Sequence, residues 1–339
     1  MTIIVAEGFA PFPDFNTAIR AKWNMPSQGN FATPGRNGTG RALLLNGSGD
    51  TATRPFPPIG PTIIVGTAWK QTSINPVSHA LMYFYDQGII QCSLHQTFPG
   101  TLTFRGGTAV FLAVAQDVLY NSSWMYLEVK VTIDNSAGAI IIKVDGKEVM
   151  NETGLDTQVS ANAQVDSINL RNDPSTDDSW DDFVVMDENG GVNDDFIGEV
   201  TVETVFPDAD GNRNDFTRFG GGSNNFEAVD DGITPDDDST YNHSAVVGDD
   251  ELYGHTALTI PLDNIHALVV RNHVRKEDAG ARIVRALCRS NVTEVEGADF
   301  GPGFDWRFFD EVYENDPDTA AAWLEAAVNA AEFGFTINA

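Results

Sequence analysis

Positive charge is scarce in this sequence: 20 Lys and Arg stand against 49 Asp and Glu, a net charge of −29. Such a chain is repelled by phosphate backbones and anionic lipid surfaces, so neither nucleic acid nor membrane insertion is expected. No run approaches the roughly 18 apolar residues of a membrane span. Cysteine is almost missing. Cys92 and Cys288 lie far apart with no CxxC spacing, which excludes a disulfide framework and leaves two buried thiols. The N-terminal stretch has no basic segment and is interrupted by Glu7, so synthesis in a cytoplasm without a signal peptide is expected. Catalytic signatures are missing too: the sequence holds no G-x-S-x-G, H-E-x-x-H or P-loop. Glu199 and Glu203 fall on one face of an expected strand, yet the Glu-x-Asp-x-x-Glu pattern of β-jelly-roll glycosidases is absent. The chain reads as a non-enzyme.

Helical periodicity is absent through residue 190, and what is present instead is a series of short strands. The 339 residues, 42% of them apolar with 21 Phe, suffice for two packed cores. Strands are expected at Ile3–Ala6, Ala42–Leu45, 61–70, Leu81–Tyr85, Ile89–Leu94, Leu102–Phe104, Ala109–Val114, Ser167–Leu170 and Phe183–Met186. Turns fall at 37–41 and 46–50. The clearest pattern is 126–133, where Leu127, Val129, Val131 and Ile133 alternate with Tyr126, Glu128, Lys130 and Thr132. Asp145-Gly146 then marks a two-residue hairpin. Many short strands with regular turn signals predict a sandwich or barrel.

The Gly/Asn/Asp-rich stretch 187–198 reads as a hinge, dividing a first domain (1–188) from a second (189–339). In the second, strands are expected at Glu199–Phe206, Ala257–Ile260, Ile265–Val274 and Ala281–Cys288. The last two echo 126–144 and suggest a second sandwich. At the end, Asn315-Asp316-Pro317 gives a helix start and Trp323, Leu324, Ala327, Val328 and Ala331 follow at helical spacing, with Gly334 as a C-cap. An amphipathic helix over about 317–332 is expected. The fold class is therefore mainly β: two β-sandwiches and a C-terminal helix.

Two kinds of site are open to the sequence. Asp208, Asp210, Asn212 and Asn214 alternate oxygen ligands as a calcium loop does, though the glycine position and the missing Glu at the twelfth position depart from an EF-hand. A sugar site would use Trp69, Trp124, Trp180 or Trp306 beside Asn and Asp.

Residues 1–187 resemble the concanavalin A-like/laminin G-like jelly roll. The resemblance rests on the strand after Trp124, the Thr132-Ile-Asp-Asn-Ser-x-Gly138 turn, Val144-Asp-Gly-Lys147 and the closing Trp180-Asp-Asp-Phe-Val-Val-Met-Asp187. Residues 182–187, 193–207 and 235–241, together with Asp316-Pro-Asp-Thr319, Trp323 and 329–334, make the whole layout similar to virion structural proteins of tailed bacteriophages. That resemblance implies a particle component and carries no catalytic residues. It implies virion partners in tail or capsid and self-association, with a host-surface glycan as a further partner. A tail appendage or adhesin is the leading expectation, a capsid decoration protein the alternative, and a glycan-cleaving enzyme the lesser one.

Overall fold

The computed structural model describes residues 3–12, 22–25, 29–38, 40–47, 49–72, 78–98, 100–120, 122–172, 177–233, 235–260 and 264–339. Thr39 and Ser48 of the expected turns lie outside these residues. The chain separates into two compact units, Met1–Val202 and Glu203–Ala339.

The first unit opens with β1 (Ile3–Glu7), β2 (Asn30–Ala32), β3 (Ala42–Leu45), β4 (Thr51–Ile59) and β5 (Thr62–Gln71). Next come β6 (His79–Asp86), β7 (Ile89–Phe98), β8 (Thr101–Gly106) and β9 (Val110–Ala115). It closes with β10 (Met125–Thr132), β11 (Gly138–Val144), β12 (Lys147–Leu155), β13 (Val165–Arg171) and β14 (Asp178–Asp187). Among the described residues these strands form two antiparallel sheets. One runs β12-β11-β10-β5-β14-β3-β2 with β1 paired to β14, and the other runs β4-β13-β6-β7-β8-β9. A single core joins them. Val65, Leu127, Val129, Val131, Trp69 and Trp180 of the first sheet pack with Phe84, Leu94, Phe104, Ile168 and Leu170 of the second. This is a β-sandwich.

Local chemistry explains the register. Asp145 and Gly146 both take positive φ (48° and 73°), the geometry a two-residue hairpin between Val144 and Lys147 requires. Gln87 and Gly88 do the same between β6 and β7. Gly66 is obligatory for another reason: a Cβ there would sit 2.7 Å from the Tyr126 hydroxyl and 2.8 Å from Val184.

β14 is buried along its whole length between β5 on one side and β1 and β3 on the other, and residues 198–202 are tied to it at Asp182. Asp182, at positive φ in a β-bulge, accepts the Val202 N–H at 2.8 Å. Arg36 donates to Asp182 Oδ2 at 2.9 Å and to the Val200 carbonyl at 2.8 Å, and also pairs with Glu199. Glu128 accepts the Gly198 N–H at 2.9 Å. No strand forms over 199–206, correcting the expected strand there. The Val200 carbonyl and the Val202 N–H are committed to this pinning, and Glu199 and Glu203 share no strand face.

The second unit adds β15 (Pro207–Asn214), β16 (Thr217–Phe219), β17 (Tyr241–His243), β18 (Asp250–His255) and β19 (Leu268–Val274). β20 (Val284–Ser290), β21 (Thr293–Glu296) and β22 (Arg307–Tyr313) precede α1 (Glu325–Ala330) and β23 (Glu332–Ile337). A five-stranded sheet runs β15-β18-β23-β20-β21, and β16-β17 and β19-β22 are separate ribbons. Val270, Val274 and Phe309 of one ribbon pack on Val284, Ala286 and Ile337 of the sheet.

The expected helix over 317–332 shrinks to α1. Ala320 takes φ 54°, Asn315 bridges Ala322 and Trp323 bridges Ile265, which breaks any helix before Glu325. Trp323 is buried beside Val328 and donates its Nε1–H to the Tyr313 carbonyl at 3.0 Å. The apolar spacing thus reflects one anchored tryptophan and a short turn. Gly334 is no C-cap. It lies inside β23, where the Glu251 carbonyl leaves no room for a Cβ. Ala257–Ile260 forms no strand, and His266 precedes β19 instead of sharing it with His273. Cys92 and Cys288 are both free and buried, as expected, and burial pushes both thiols up. Among the described residues no helix is long and apolar enough to cross a membrane.

Candidate functional site

Strands β13, β6, β7 and β8 lie side by side, and each alternates one core residue with one outward residue. Leu170, Met82, Phe84, Cys92, Leu94, Leu102 and Phe104 face the core. Leu81, at a bulge in β6, joins them, and the side chains on the opposite face are polar or aromatic: Asn169, Ser93, His95 and Thr103 are buried, while Tyr83, Tyr85, Arg105 and Arg171 are half-buried. Registration places Thr53, Asn169, Tyr83, Ser93 and Arg105 in one row across five strands. His95 and Thr103 oppose one another one step along, and Arg171 lies on the same face two residues beyond Asn169.

The row is a bonded aromatic and polar surface. The Arg171 guanidinium lies 4.5 Å over the Tyr83 ring and donates to Asn169 Oδ1 at 3.0 Å. Asn169 in turn donates to Thr53 Oγ1 at 2.7 Å. Tyr83 approaches Tyr85 edge-on at 6.1 Å and His95 at 6.0 Å. Ser93 donates its hydroxyl to the Gly107 carbonyl at 2.6 Å, so its oxygen accepts the His95 Nε2–H at 2.9 Å. That fixes His95 as the Nε2–H tautomer and leaves Nδ1 as an acceptor with no protein partner among the described residues. Burial first, then the nearby Arg105 and Arg171 charges, push the imidazole down to about 4. It is therefore neutral at physiological pH.

The floor of this face is not satisfied internally. Thr103 is 1% exposed and its hydroxyl oxygen has no hydrogen-bond partner, and the Arg105 Nε is buried in the same state. A buried unpaired donor or acceptor costs about 1–3 kcal/mol. Tyr83, Tyr85, Arg105 and Arg171 are half-buried around this floor. The partly exposed Tyr83 and Tyr85 rings beside the Arg105 and Arg171 donors suit a ligand that is apolar on its faces and hydroxylated on its rim.

A second aromatic group stands on the ribbons of the second unit. Phe219 stacks on Tyr241 at 4.8 Å, Tyr241 meets Trp306 at 6.5 Å, and Trp306 meets His273 at 5.1 Å. His273 stacks on Phe308 at 4.1 Å. Asp238 accepts the Trp306 Nε1–H at 3.1 Å and pairs with Arg275, which lies 5.4 Å over the indole.

The sequence-stated residues fare unequally. Trp69 and Trp180 are fully buried, 6.1 Å apart, in the sandwich core. Trp124 is partly exposed under Lys70, and Trp306 alone joins a surface aromatic group. Asp208, Asp210, Asn212 and Asn214 lie on strand β15 and not in a loop. Asp210 accepts the Phe226 N–H at 2.8 Å, and Asn212 donates its N–H to Glu332 at 2.8 Å. Among the described residues no three His, Cys, Asp or Glu side chains are grouped as a metal ion would need. Tyr83, His95, Arg105, Asn169 and Arg171 were not singled out from sequence.

No protein-family model matches the chain, and no curated protein matches it. Solved structures resemble the fold of about half of it. The alginate lyase Aly36B is 9% identical, covering 54% of this chain and 96% of its own, with a TM-score of 0.39. Domain 4 of AbnA, a GH43 extracellular arabinanase from Geobacillus stearothermophilus solved with arabinotriose, is 14% identical over 55% of this chain and 92% of its own, TM-score 0.39. A Bacillus subtilis protein of unknown function with a galectin-like fold is 12% identical over 55% and 98%, TM-score 0.36. Likeness at this level identifies no family and carries no ligand.

Proposed function

We propose that this chain is a non-enzymatic structural protein of a tailed-phage virion, an appendage or adhesin module whose first unit binds a host-surface glycan. The observation that carries the glycan reading is the half-buried group Tyr83, Tyr85, Arg105 and Arg171 on one sheet face, with Arg171 held over Tyr83 by Asn169. Sugar rings pack their C–H faces against such aromatics and accept hydrogen bonds from flanking guanidinium groups. The virion reading is supported by the sequence layout over 182–187, 193–207 and 235–241, with 316–319, Trp323 and 329–334. A net charge of −29 keeps a crowded surface component soluble and monodisperse.

Screening the intact chain on a broad glycan array tests the first half: retention of defined glycans, lost in Tyr83→Ala, is expected, and no retention overturns it. Quantifying the protein in purified particles tests the second. Copies sparse relative to the major capsid protein fit a tail appendage. Copies stoichiometric with it point to capsid decoration, and absence from the particle overturns the virion reading.

A further inference from the structure

We infer that the glycan bound at the outward face of the six-stranded sheet is anionic, carrying a carboxylate or a sulfate that Arg105 and Arg171 receive. This rests on the glycan reading above and names the ligand class for that site.

Cations are scarce in this chain. The chain has 20 Lys and Arg for 49 carboxylates, and most described arginines are taken by acids. Arg36 pairs with Asp182, Arg213 with Glu294, Arg271 with Asp310, Arg275 with Asp238, Arg282 with Asp278, Arg285 with Glu296 and Arg289 with Glu332. Arg105, Arg171, Arg218 and Arg307 make no ion pair among the described residues. Of these, Arg105 and Arg171 stand together on one face of one sheet.

Their hydrogen bonds go to neutral acceptors only. Arg171 donates to Asn169 at 3.0 Å, and Arg105 donates to the Thr108 carbonyl at 3.3 Å and the Ser78 hydroxyl at 3.4 Å. Neither makes an ion pair among the described residues, and the Arg105 Nε is buried with no partner. Each guanidinium carries five N–H donors in a planar fork suited to a carboxylate or sulfate edge. Both are half-buried, where screening by water and salt is weaker than at a fully exposed site.

The surroundings supply the sugar's other contacts. Tyr83 is fixed beneath Arg171 and beside His95. The Thr103 hydroxyl, opposite His95 in register, is unsatisfied. An anionic glycan on this face would bring its acid to the free edges of the Arg105 and Arg171 forks, with its ring against the open sides of Tyr83 and Tyr85. A neutral glycan would leave both positive charges without a counter-charge in the low-dielectric layer under the ligand.

Matched glycan pairs test this on the wild-type chain. An array presents uronic-acid oligosaccharides beside their methyl esters, sialylated glycans beside their desialylated forms, and sulfated galactans beside desulfated ones, at one fixed ionic strength. The acid member of at least one pair is expected to bind tenfold or more tightly than its uncharged partner. Retention of carboxylated or of sulfated glycans alone identifies the source of the charge. Arg105→Gln and Arg171→Gln should each collapse that ratio toward one without abolishing stacking on Tyr83. Equal retention of acid and uncharged members overturns the inference and leaves the glycan reading standing. Retention of nothing overturns both.

Discussion

The guanidinium of Arg171 lies 4.5 Å above the ring of Tyr83 and is held there by Asn169. Cation, ring and amide come from two neighbouring strands, so the sheet's own register presets the surface a ligand meets. Little side-chain entropy remains to be lost on binding.

Tyr83→Ala removes the platform and frees Arg171. Glycan affinity should fall tenfold or more, about 1.4 kcal/mol. Tyr83→Phe, which keeps the ring, should retain most of it. Titration calorimetry with an array-identified glycan separates the two, and thermal unfolding near wild type in both variants confirms an effect on binding alone.

His95 should titrate at about 4, well below the ordinary 6.5, because burial and two arginines disfavour its cation. In the window between these values the unfolded chain binds the proton and the folded chain does not. Stability from this group is therefore present above about 6.5 and is lost as pH falls toward 4. Following the His95 ring resonances by NMR from pH 7 to 4 checks the value, and an ordinary titration near 6.5 would contradict it.

Arg36 ties residues 199–202 to the bulge at Asp182, with both partners almost fully buried. Arg36→Ala leaves the Asp182 carboxylate buried and unpaired, a loss of about 3–5 kcal/mol. Arg36→Lys should recover only part, since one ammonium does not span Asp182, Glu199 and the Val200 carbonyl as the fork does. Urea midpoints of the three proteins are the readout.

Glu251 is buried in the second unit, accepting the Phe216 N–H at 3.0 Å and the Asn225 amide at 2.9 Å. Burial, with repulsion from Asp210 and Asp215, raises it to about 7. Here the folded chain holds the proton longer than the unfolded one. Its contribution is complete below about 4.5 and is lost as pH rises through about 7. Asp181 has the same sign in the first unit, raised to about 7 by burial and by Asp182. Glu251→Gln should flatten the decline of the second unit's unfolding temperature between pH 5 and 7, measured calorimetrically.

The sandwich was legible because its strands alternate and its turns carry Gly at the position where positive φ is needed. The face itself was missed by single residues. The expected strands ended at Leu94, Phe104 and Leu170, whereas the observed strands carry on to His95, Arg105 and Arg171. Those three polar side chains look like strand ends in one dimension. Only lateral registration of four strands, separated by up to about ninety residues, brings them to one surface. The second unit was harder to read, since β15 is polar and pairs with β18 through an irregular register, and β16 and β17 have three residues each. Its C-terminal spacing looked helical because alanine separates Trp323 from Val328, and no sequence signal marks the positive φ at Ala320.

The central claim is the location of the glycan. Backbone hydrogen exchange of the intact chain, with and without a saturating array-identified glycan, tests it most directly. The account predicts slowed exchange confined to β6, β7, β8 and β13 around Tyr83, His95, Arg105 and Arg171. Protection centred on Phe219, Tyr241 and Trp306, or no protection anywhere, would contradict it.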